Sequence, residues 1–346
     1  MAKAAAKLWF SLVLLLTGLW PVLAQADQAN VFVYHRFNDA RFPSTNISSE
    51  DFRTHLELLH ANDFTVLTLG EVMSRLDSGR SLPPRCAVIT VDDAYQTFLT
   101  DGWPLLQRFG FPATLFVSTD TVGGTDYLDW QELRQLRRQG VEIGNHSASH
   151  AYLLDQRAAP GWAEGVLADI RRAQEAFVEH LGFKPRLFAY PYGEFSADLI
   201  TLVARAGFDA AFGQQSGVLT AEQPRYSLPR FPMGGAYTDP AAFRDKLFMK
   251  HLPVQVLAPD STVVGSQNPP RLLFSLAGAV VAAETLRCYI PGQAECRIKK
   301  VDGQRDLYAV QADAALDGRR SKYTLTASDH TGAHWYWYSQ LWVLPQ

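Results

Sequence analysis

From residue 31 to residue 230, short apolar runs alternate with longer segments whose apolar residues recur at helical spacing. Segments 48–62, 129–140 and 162–182 are the clearest predicted helices, and the last two close on a glycine. The alternation predicts parallel strands covered by helices, and the count favours an α/β fold with a distorted (β/α) barrel of about seven or eight strands. The runs predicted to be strands are 31–34, 64–67, 87–91, 113–117, 141–144, 186–190, 210–212 and 226–230.

A second region begins after about Leu252, where the helical spacing disappears. Residues 252–271 carry Pro, Ser and Gly, and from Leu272 onward short apolar runs are separated by turn residues. We therefore expect a barrel over residues 27–252, followed by a small all-β, sandwich-like accessory domain over residues 253–346.

The first 26 residues have the pattern of a secretory signal peptide. Lys3 and Lys7 precede an apolar run over residues 8–23, and residues 24–26 supply the small side chains of a cleavage site. The run is shorter than the ~20 residues that a membrane span needs, although an uncleaved anchor stays open as an alternative. We expect an exported protein, periplasmic or secreted, with no membrane span after cleavage of residues 1–26.

Composition places the chain among globular proteins. It has 346 residues, of which 47% are hydrophobic and 19% charged, with a formal net charge of −3. This length allows a large core, and nothing in the charge pattern indicates a nucleic acid partner. In an oxidising compartment Cys288 and Cys296 could close a local loop, whereas Cys86 is expected to be a buried apolar side chain.

Polar residues directly follow several predicted strands. They are His35, Asp92, Asp93, Asn145, His146 and, at the end of the last predicted strand, Arg230. In (β/α) barrels the functional groups lie at the carboxyl ends of the strands and on the loops that follow them. We therefore expect these side chains to meet on one rim of the barrel.

The rim residues include a candidate metal site. His146 and His150 are four positions apart, so a helical turn after the strand would place both imidazoles on one face. With a carboxylate from Asp93 they would form a two-His, one-carboxylate site that suits zinc or another divalent transition metal. The neighbouring Asp92 would take a proton from the metal-bound water. Surface or capping histidines, and a helix-capping role for one aspartate, stay open as alternatives.

Three segments resemble the motifs of the polysaccharide deacetylase, or NodB-homology, family. TVDDAY (residues 90–95) is similar to its T-F-D-D-G motif, HSASH (146–150) to its H-[ST]-x-x-H motif and FAYPYGEFS (188–196) to its R-x-P-Y-G-like motif. The motifs occur in the family's order, and the resemblance covers about residues 30–250. VYHRF, which contains His35, resembles a segment of the exported poly-N-acetylglucosamine deacetylase branch.

The resemblance implies a metal-dependent hydrolase that removes N-acetyl, or sometimes O-acetyl, groups from amino-sugar polymers. Asp92 would be the general base. The metal would be held by Asp93, His146 and His150, and we expect Zn²⁺, with Co²⁺, Ni²⁺ or Fe²⁺ as alternatives. A backbone N–H near Tyr192 would stabilise the oxyanion. The residues expected to contact an N-acetylated polysaccharide substrate are Tyr192, Tyr190 and Gln214.

The chain departs from the family's pattern in three ways. Ala94 stands where the first motif usually has Gly, and Ala189 stands where the third motif has the Arg that orients the base. Arg230 is a candidate replacement for that Arg, with a structural role left open. The late L-x-H motif that supplies the general acid is not recognisable. His35 is a candidate for the site, again with a structural role as the alternative.

Two classes of function follow from these residues. The first is an exported, metal-dependent N-deacetylase of a cell-envelope or biofilm glycan. The second is a catalytically weak glycan-binding protein, and an O-acetyl polysaccharide esterase is a further alternative. Near the C-terminus, Trp335 and Trp337 would share one face of a strand, where a place in the sandwich core is favoured over stacking on sugars.

Overall fold

The computed structural model describes residues 27–277, 281–293, 296–301, 303 and 306–346, so the predicted signal peptide lies outside the described residues. The helices in these ranges are α1 (Ser49–Ala61), α2 (Leu69–Asp77), α3 (Trp103–Phe109), α4 (Trp130–Arg138), α5 (Trp162–Leu181), α6 (Ala197–Arg205) and α7 (Pro240–Leu247). Within the same ranges, no helix combines the length and apolarity needed to cross a membrane.

Strands make up most of the remaining regular structure. The barrel strands are β1 (Gln28–Tyr34), β4 (Thr65–Leu67), β5 (Cys86–Val91), β6 (Thr114–Val117), β7 (Glu142–Asn145), β8 (Leu187–Ala189), β9 (Ala210–Phe212), β10 (Leu219–Thr220) and β11 (Phe231–Pro232). β2 (Arg36–Phe37) and β3 (Asn46–Ile47) form a separate two-stranded sheet. The later strands are β12 (Lys250–His251), β13 (Val254–Ala258), β14 (Arg271–Leu276), β15 (Arg287–Tyr289), β16 (Cys296–Lys300), β17 (Leu307–Ala312), β18 (Arg320–Ser328) and β19 (Trp335–Val343).

One curled sheet forms the barrel, in the strand order β10-β1-β5-β6-β7-β8-β9, with β11 pairing with β1 and β4 with β5. Every step from β1 to β9 along this path is parallel. Both faces of the sheet are covered: Ala87, Ile89 and Val91 of β5 pack in one core cluster, and Cys86 and Val88 pack in another. The predictions of a distorted (β/α) barrel and of a buried Cys86 are therefore confirmed.

A short segment joins the two ends of the barrel sheet. Leu228 N donates to the carbonyl oxygen of Ala211 in β9 at 3.0 Å. Farther along the chain, β11 pairs with β1 from Phe231 onward. The predicted strand at residues 226–230 is wrong in position, because regular pairing begins only after Pro229. Proline has no N–H to donate and therefore interrupts a strand ladder.

Two four-stranded sheets, in the orders β12-β19-β18-β15 and β13-β14-β17-β16, form what we call the C-terminal β-layers (β12–β19). They pack together through a core cluster that takes Phe274 from one sheet and Tyr323 from the other, so the predicted sandwich-like architecture is confirmed. The Cys288–Cys296 disulfide joins the two sheets. The division of the chain at residue 252 stays a prediction.

The aromatic residues of β19 divide between two cores. Trp337 packs beside the barrel core, with its ring centroid 5.7 Å from that of Phe231. Tyr336 and Tyr338 belong to the core of the C-terminal β-layers. The core prediction is wrong for Trp335, which is 45% exposed because it is the first residue of its strand, next to an exposed turn.

Candidate metal centre

Asp92 and Asp93 follow β5 at the carboxyl end of the barrel strands. Asp92 N donates to Tyr34 O at 2.9 Å and so continues the ladder with β1. The chain then turns sharply, with φ of 76° at Asp93 and 58° at Ala94. A non-glycine residue in this left-handed region costs roughly 1–2 kcal/mol, so Ala94 adopts the conformation that Gly would take without this cost. The turn lets the two neighbouring carboxylates contact different partners.

The loop after β7 carries both predicted histidine ligands. The predicted helical turn over residues 146–150 is wrong: Ser147 and His150 have φ of 67° and 52°, and the segment is an irregular loop. Ser147 N donates to Asn145 Oδ1 at 2.7 Å, and His150 N donates to Ser147 Oγ at 3.0 Å. These bonds replace those of a helical turn and still bring the two rings together, with centroids 4.9 Å apart for His146 and His150.

Asp169 of α5 anchors the same loop. Its two carboxylate oxygens accept hydrogen bonds from the N–H groups of Ala148 and Ser149, at 3.0 and 3.1 Å. Arg172 NH2 donates to Asp169 Oδ1 at 3.0 Å. The sequence analysis missed this residue, although an acidic side chain on the apolar face of an amphipathic helix is a signal that could have indicated it.

Asp93, His146 and His150 converge on one point. One candidate ligand atom from each lies within 4.8 Å of the others. His146 Nε2 is 3.4 Å and His150 Nε2 is 3.0 Å from Asp93 Oδ1. Among the described residues, Asp93 Oδ1 and His146 Nε2 are buried without a hydrogen-bond partner. Because unsatisfied buried polar atoms are costly, this donor set fits a divalent metal ion.

His146 is held in the tautomer that a metal ligand needs. Its Nδ1–H donates to the Ala189 carbonyl of β8 at 2.8 Å. The other ring nitrogen, Nε2, therefore keeps a free lone pair beside Asp93. The predicted three-residue site is thus assembled by the ends of β5, β7 and β8.

Asp92 is fully buried next to Arg230. Arg230 NH1 donates to Asp92 Oδ1 at 2.7 Å and NH2 donates to Oδ2 at 2.8 Å, which makes a bidentate ion pair. Arg230 is itself fixed, because its Nε donates to Gly213 O at 2.9 Å and NH1 donates to Thr90 Oγ1 at 3.1 Å. Arg230 therefore lies where the sequence analysis expected a replacement for the missing Arg of the third motif.

Charges in the site oppose the effect of burial on ionisation. Burial favours protonated Asp92, but the Arg230 charge, with His146, holds the pKa of Asp92 below its ordinary value. Burial also opposes ionisation of Asp93, and contacts with His146 and His150 hold its pKa well below the ordinary value. Burial lowers the pKa of His146, but the two carboxylates outweigh burial and raise that pKa. Both aspartates are therefore carboxylates at neutral pH.

Gln214 and His35 complete the surroundings of Asp92. Gln214 Nε2 donates to Asp92 Oδ2 at 3.3 Å and lies 3.4 Å from His35 Nε2. Burial lowers the pKa of His35, against the effect of the Asp93 and Asp92 carboxylates. The structure therefore brings both predicted residues to the site, and their roles there stay predictions.

Tyr192 lies on the rim beside His150. Its φ is 59°, its ring centroid is 4.5 Å from that of His150, and its ring stacks on Tyr152 at 3.9 Å. Arg320 of the C-terminal β-layers lies 5.3 Å from the Tyr192 ring centroid. An aromatic surface therefore borders the candidate metal site, and sequence analysis missed Tyr152 and Arg320 because no motif marks them.

The structure corrects the assignment of Tyr190 to substrate binding. The Tyr190 side chain is fully buried and packs with Phe188 and Phe195. Its hydroxyl donates to Tyr226 O at 2.8 Å. Because no part of it is exposed, Tyr190 belongs to the core, and its neighbour Tyr192 is the tyrosine of this motif that reaches the rim.

Fold and site define a class of protein: a (β/α) barrel with a candidate Asp-His-His metal site and a second, buried aspartate beside it. Residues 79–211 match the family model described as polysaccharide deacetylase. This range contains Asp92, Asp93, His146 and His150, which are the four residues at the centre of the site. The matched residues 79–211 thus resemble a polysaccharide deacetylase domain, in agreement with the three motifs.

Relatives match about three fifths of the chain. A poly-beta-1,6-N-acetyl-D-glucosamine N-deacetylase of Staphylococcus aureus is 23% identical over 215 residues, covering 60% of this chain and 74% of the relative. The structure of IcaB from Ammonifex degensii aligns with a TM-score of 0.56 and 24% identity, covering 64% of this chain and 98% of that one. The structure of Streptococcus pyogenes deacetylase PplD in complex with acetate aligns with a TM-score of 0.57 and 17% identity, covering 64% and 99%. These two structures support the fold.

Proposed function

We propose that this protein is a metal-dependent hydrolase that removes N-acetyl groups from an amino-sugar polysaccharide of the cell envelope or biofilm. The observation that carries the proposal is the convergence of Asp93, His146 and His150 beside the buried, ionised Asp92. The polysaccharide named for the S. aureus relative supports a β-linked N-acetylglucosamine polymer as the substrate class.

In this proposal Asp93, His146 and His150 would hold one divalent ion. When bound, the ion polarises the acetamide carbonyl and the attacking water. Two imidazoles and one carboxylate suit Zn²⁺, and Co²⁺, Ni²⁺ or Fe²⁺ would accept the same ligands. The hydrogen bond from His146 to Ala189 keeps the correct ring nitrogen free for this role.

Asp92 acts as the general base. It takes a proton from water as the water oxygen bonds to the carbonyl carbon. Arg230 acts through Asp92: the bidentate pair keeps the carboxylate ionised and fixes its direction. The carbon–nitrogen bond then breaks, acetate leaves, and the amine nitrogen gains a proton. Asp92 holds the proton taken from water and can supply it, and His35 would stay beside the base through Gln214, which contacts both residues.

Two rim residues would handle the substrate. The backbone N–H near Tyr192 would donate to the developing oxyanion, and the Tyr192 ring offers a face on which a sugar can stack. The proposed sugar contact of Gln214 would use the part of its amide that Asp92 and His35 leave free. Nothing in the fold or the charge indicates a nucleic acid as partner.

We also propose export to the periplasm or beyond the cell. The support is the signal-peptide pattern of residues 1–26 together with the Cys288–Cys296 disulfide, a bond that persists in oxidising compartments. Residues 27–252 would form the deacetylase domain, and residues 253–346 would form the accessory domain.

Acetate release from N-acetylglucosamine oligomers tests the proposal. We expect Asp92→Asn to lower kcat about 10²- to 10⁴-fold through loss of the base, whereas Asp317→Asn, at an exposed position, keeps the original rate. A chelator should abolish activity, and Zn²⁺ or Co²⁺ should restore it.

Other outcomes would favour the alternatives. Binding of the oligomers without acetate release would indicate a glycan-binding protein. Acetate release from O-acetylated glycans alone would indicate an esterase. Activity that is indifferent both to the chelator and to Asp92→Asn would contradict the proposed chemistry.

A further inference from the structure

We propose that the C-terminal β-layers are a working part of the deacetylase site, with Lys322 of β18 as a positioning residue for Asp92. The proposal rests on the function proposed above and deepens it. It extends the site beyond residues 79–211, which match the family model, because Lys322 lies outside that range. Lys322 acts through Gln214, which is 108 positions earlier in the chain.

The first step is the hydrogen bond between Lys322 and the loop that follows β9, which contains Gln214 and is called the site loop below. Lys322 Nζ donates to the backbone oxygen of Gln214 at 2.7 Å. Lys322 is half-buried. Within the described part of the chain, its ammonium group makes this one hydrogen bond. A buried ammonium group is costly to desolvate, and here it meets a carbonyl of the site loop rather than a carboxylate. The lysine is therefore placed where it fixes that loop.

The second step leads from the loop to the base. The Gly213 carbonyl accepts from Arg230 Nε at 2.9 Å. The next residue, Gln214, donates from its side chain to Asp92 Oδ2 at 3.3 Å. Residues 213 and 214 thus contact both members of the buried ion pair. A shift of this stretch would move the base and the arginine that orients it.

The third step concerns the adjoining loop, which carries Tyr192. Gly193 has φ of 71°, and a Cβ added there would lie 2.6 Å from Gln214 N, so the two loops are in close contact. Glu194, which is buried, accepts hydrogen bonds from Arg319 Nε and NH2 and from Arg320 NH1, each at 2.8 Å. The residues around the start of β18 therefore hold two neighbouring loops of the rim.

Arg319 also reaches a third loop. Its NH2 group donates to Asp155 Oδ1 at 2.8 Å, five residues beyond His150. The contacts of β18 and of Arg319, the residue before it, thus extend to the loops that follow β7, β8 and β9. A misplacement of about 1 Å at catalytic groups can cost roughly 100-fold in rate, so contacts of this kind bear directly on kcat.

Three variants test the role of Lys322. Lys322→Met keeps the length of the side chain and removes the donor, and Lys322→Arg restores a donor. Lys299→Met is the matched control, because Lys299 is exposed on β16 of the same β-layers. We expect Lys322→Met to lower kcat about 10- to 100-fold, with a smaller change in KM and unchanged metal content. Lys322→Arg should recover part of the loss, and Lys299→Met should match the original protein.

Hydrogen–deuterium exchange of the segment around Gln214 gives a measurement independent of activity. We expect faster exchange there in Lys322→Met than in the original protein or in Lys299→Met. If the original protein releases no acetate from any glycan, the proposed function fails, while exchange still decides whether Lys322 holds the loop. If Lys322→Met matches Lys299→Met in kcat and in exchange, the role of Lys322 is refuted.

Discussion

Asp92 and Arg230 form an ion pair whose two side chains have no exposed surface. Two charges removed from water are stabilised only if each has good partners. Here the guanidinium has Asp92, Gly213 and Thr90, and the carboxylate has Arg230 and Gln214. Removing one partner would leave the other charge buried and uncompensated.

We therefore expect Arg230→Met to lower the free energy of unfolding by about 3–5 kcal/mol and to reduce kcat as well. The double variant Asp92→Asn/Arg230→Met should recover part of the lost stability, because no unpaired charge remains. Urea-induced unfolding measures both effects.

Arg157→Met provides the control for this comparison. Arg157 pairs with Asp198 at the surface, where the side chains are 36% and 61% exposed, and an exposed pair contributes less than about 1 kcal/mol. Equal losses of stability in Arg157→Met and Arg230→Met would contradict the importance assigned to the buried pair.

At the scale of elements, His55 holds α1 against α7 and β1. Its ring stacks on Phe243 of α7 with centroids 3.9 Å apart. His55 Nε2–H donates to Thr238 O at 2.9 Å, and Nδ1 lies 3.0 Å from the Tyr34 hydroxyl and accepts from it. Both ring nitrogens of the neutral imidazole therefore have a hydrogen-bond partner. Burial lowers the pKa of His55 to about 4.

This pKa predicts a pH-dependent stability. The folded-state value of about 4 lies below the value of about 6.5 in the unfolded chain. Between these values the unfolded chain binds a proton that the folded protein does not, so stability is present above pH 6.5 and is lost as pH falls. We expect a loss of about 3 kcal/mol between pH 6.5 and pH 4 from this group.

Urea-induced unfolding at pH 7 and pH 4.5 would measure the effect. His55→Gln should remove most of this dependence, whereas His330→Gln, at an exposed site, should behave like the original protein. A pH dependence unchanged by His55→Gln would show that other groups cause it.

At the scale of the whole molecule, the barrel was predictable because its strands are continuous apolar runs. All six residues of β5 are buried, as expected for a mostly apolar strand that is covered on both faces. The ends of such strands meet at one rim, so Asp92, Asp93 and His146 could be grouped without coordinates. Arg230 does not follow a strand, because β11 begins at Phe231, and its pairing with Asp92 was expected only as a replacement for the missing Arg of the third motif.

Other features depend on tertiary contacts that a single sequence does not encode locally. The irregular loop from His146 to His150 is set by bonds to Asn145 and to Asp169 of α5. The burial of Tyr190 depends on how β8 faces the helices. The bond from Lys322 to Gln214 joins positions 108 residues apart, and no local pattern predicts it.

The central claim is that one divalent ion is held by residues from two separate strand ends. Its most direct test is equilibrium binding of Zn²⁺ to the purified chain, compared between the original protein, Asp93→Asn, His146→Asn, His150→Asn and Asp92→Asn. We expect one tightly bound ion in the original protein and in Asp92→Asn, and a large loss of affinity in the other three variants. Equal affinity in all five proteins, or no bound ion in any of them, would contradict the account.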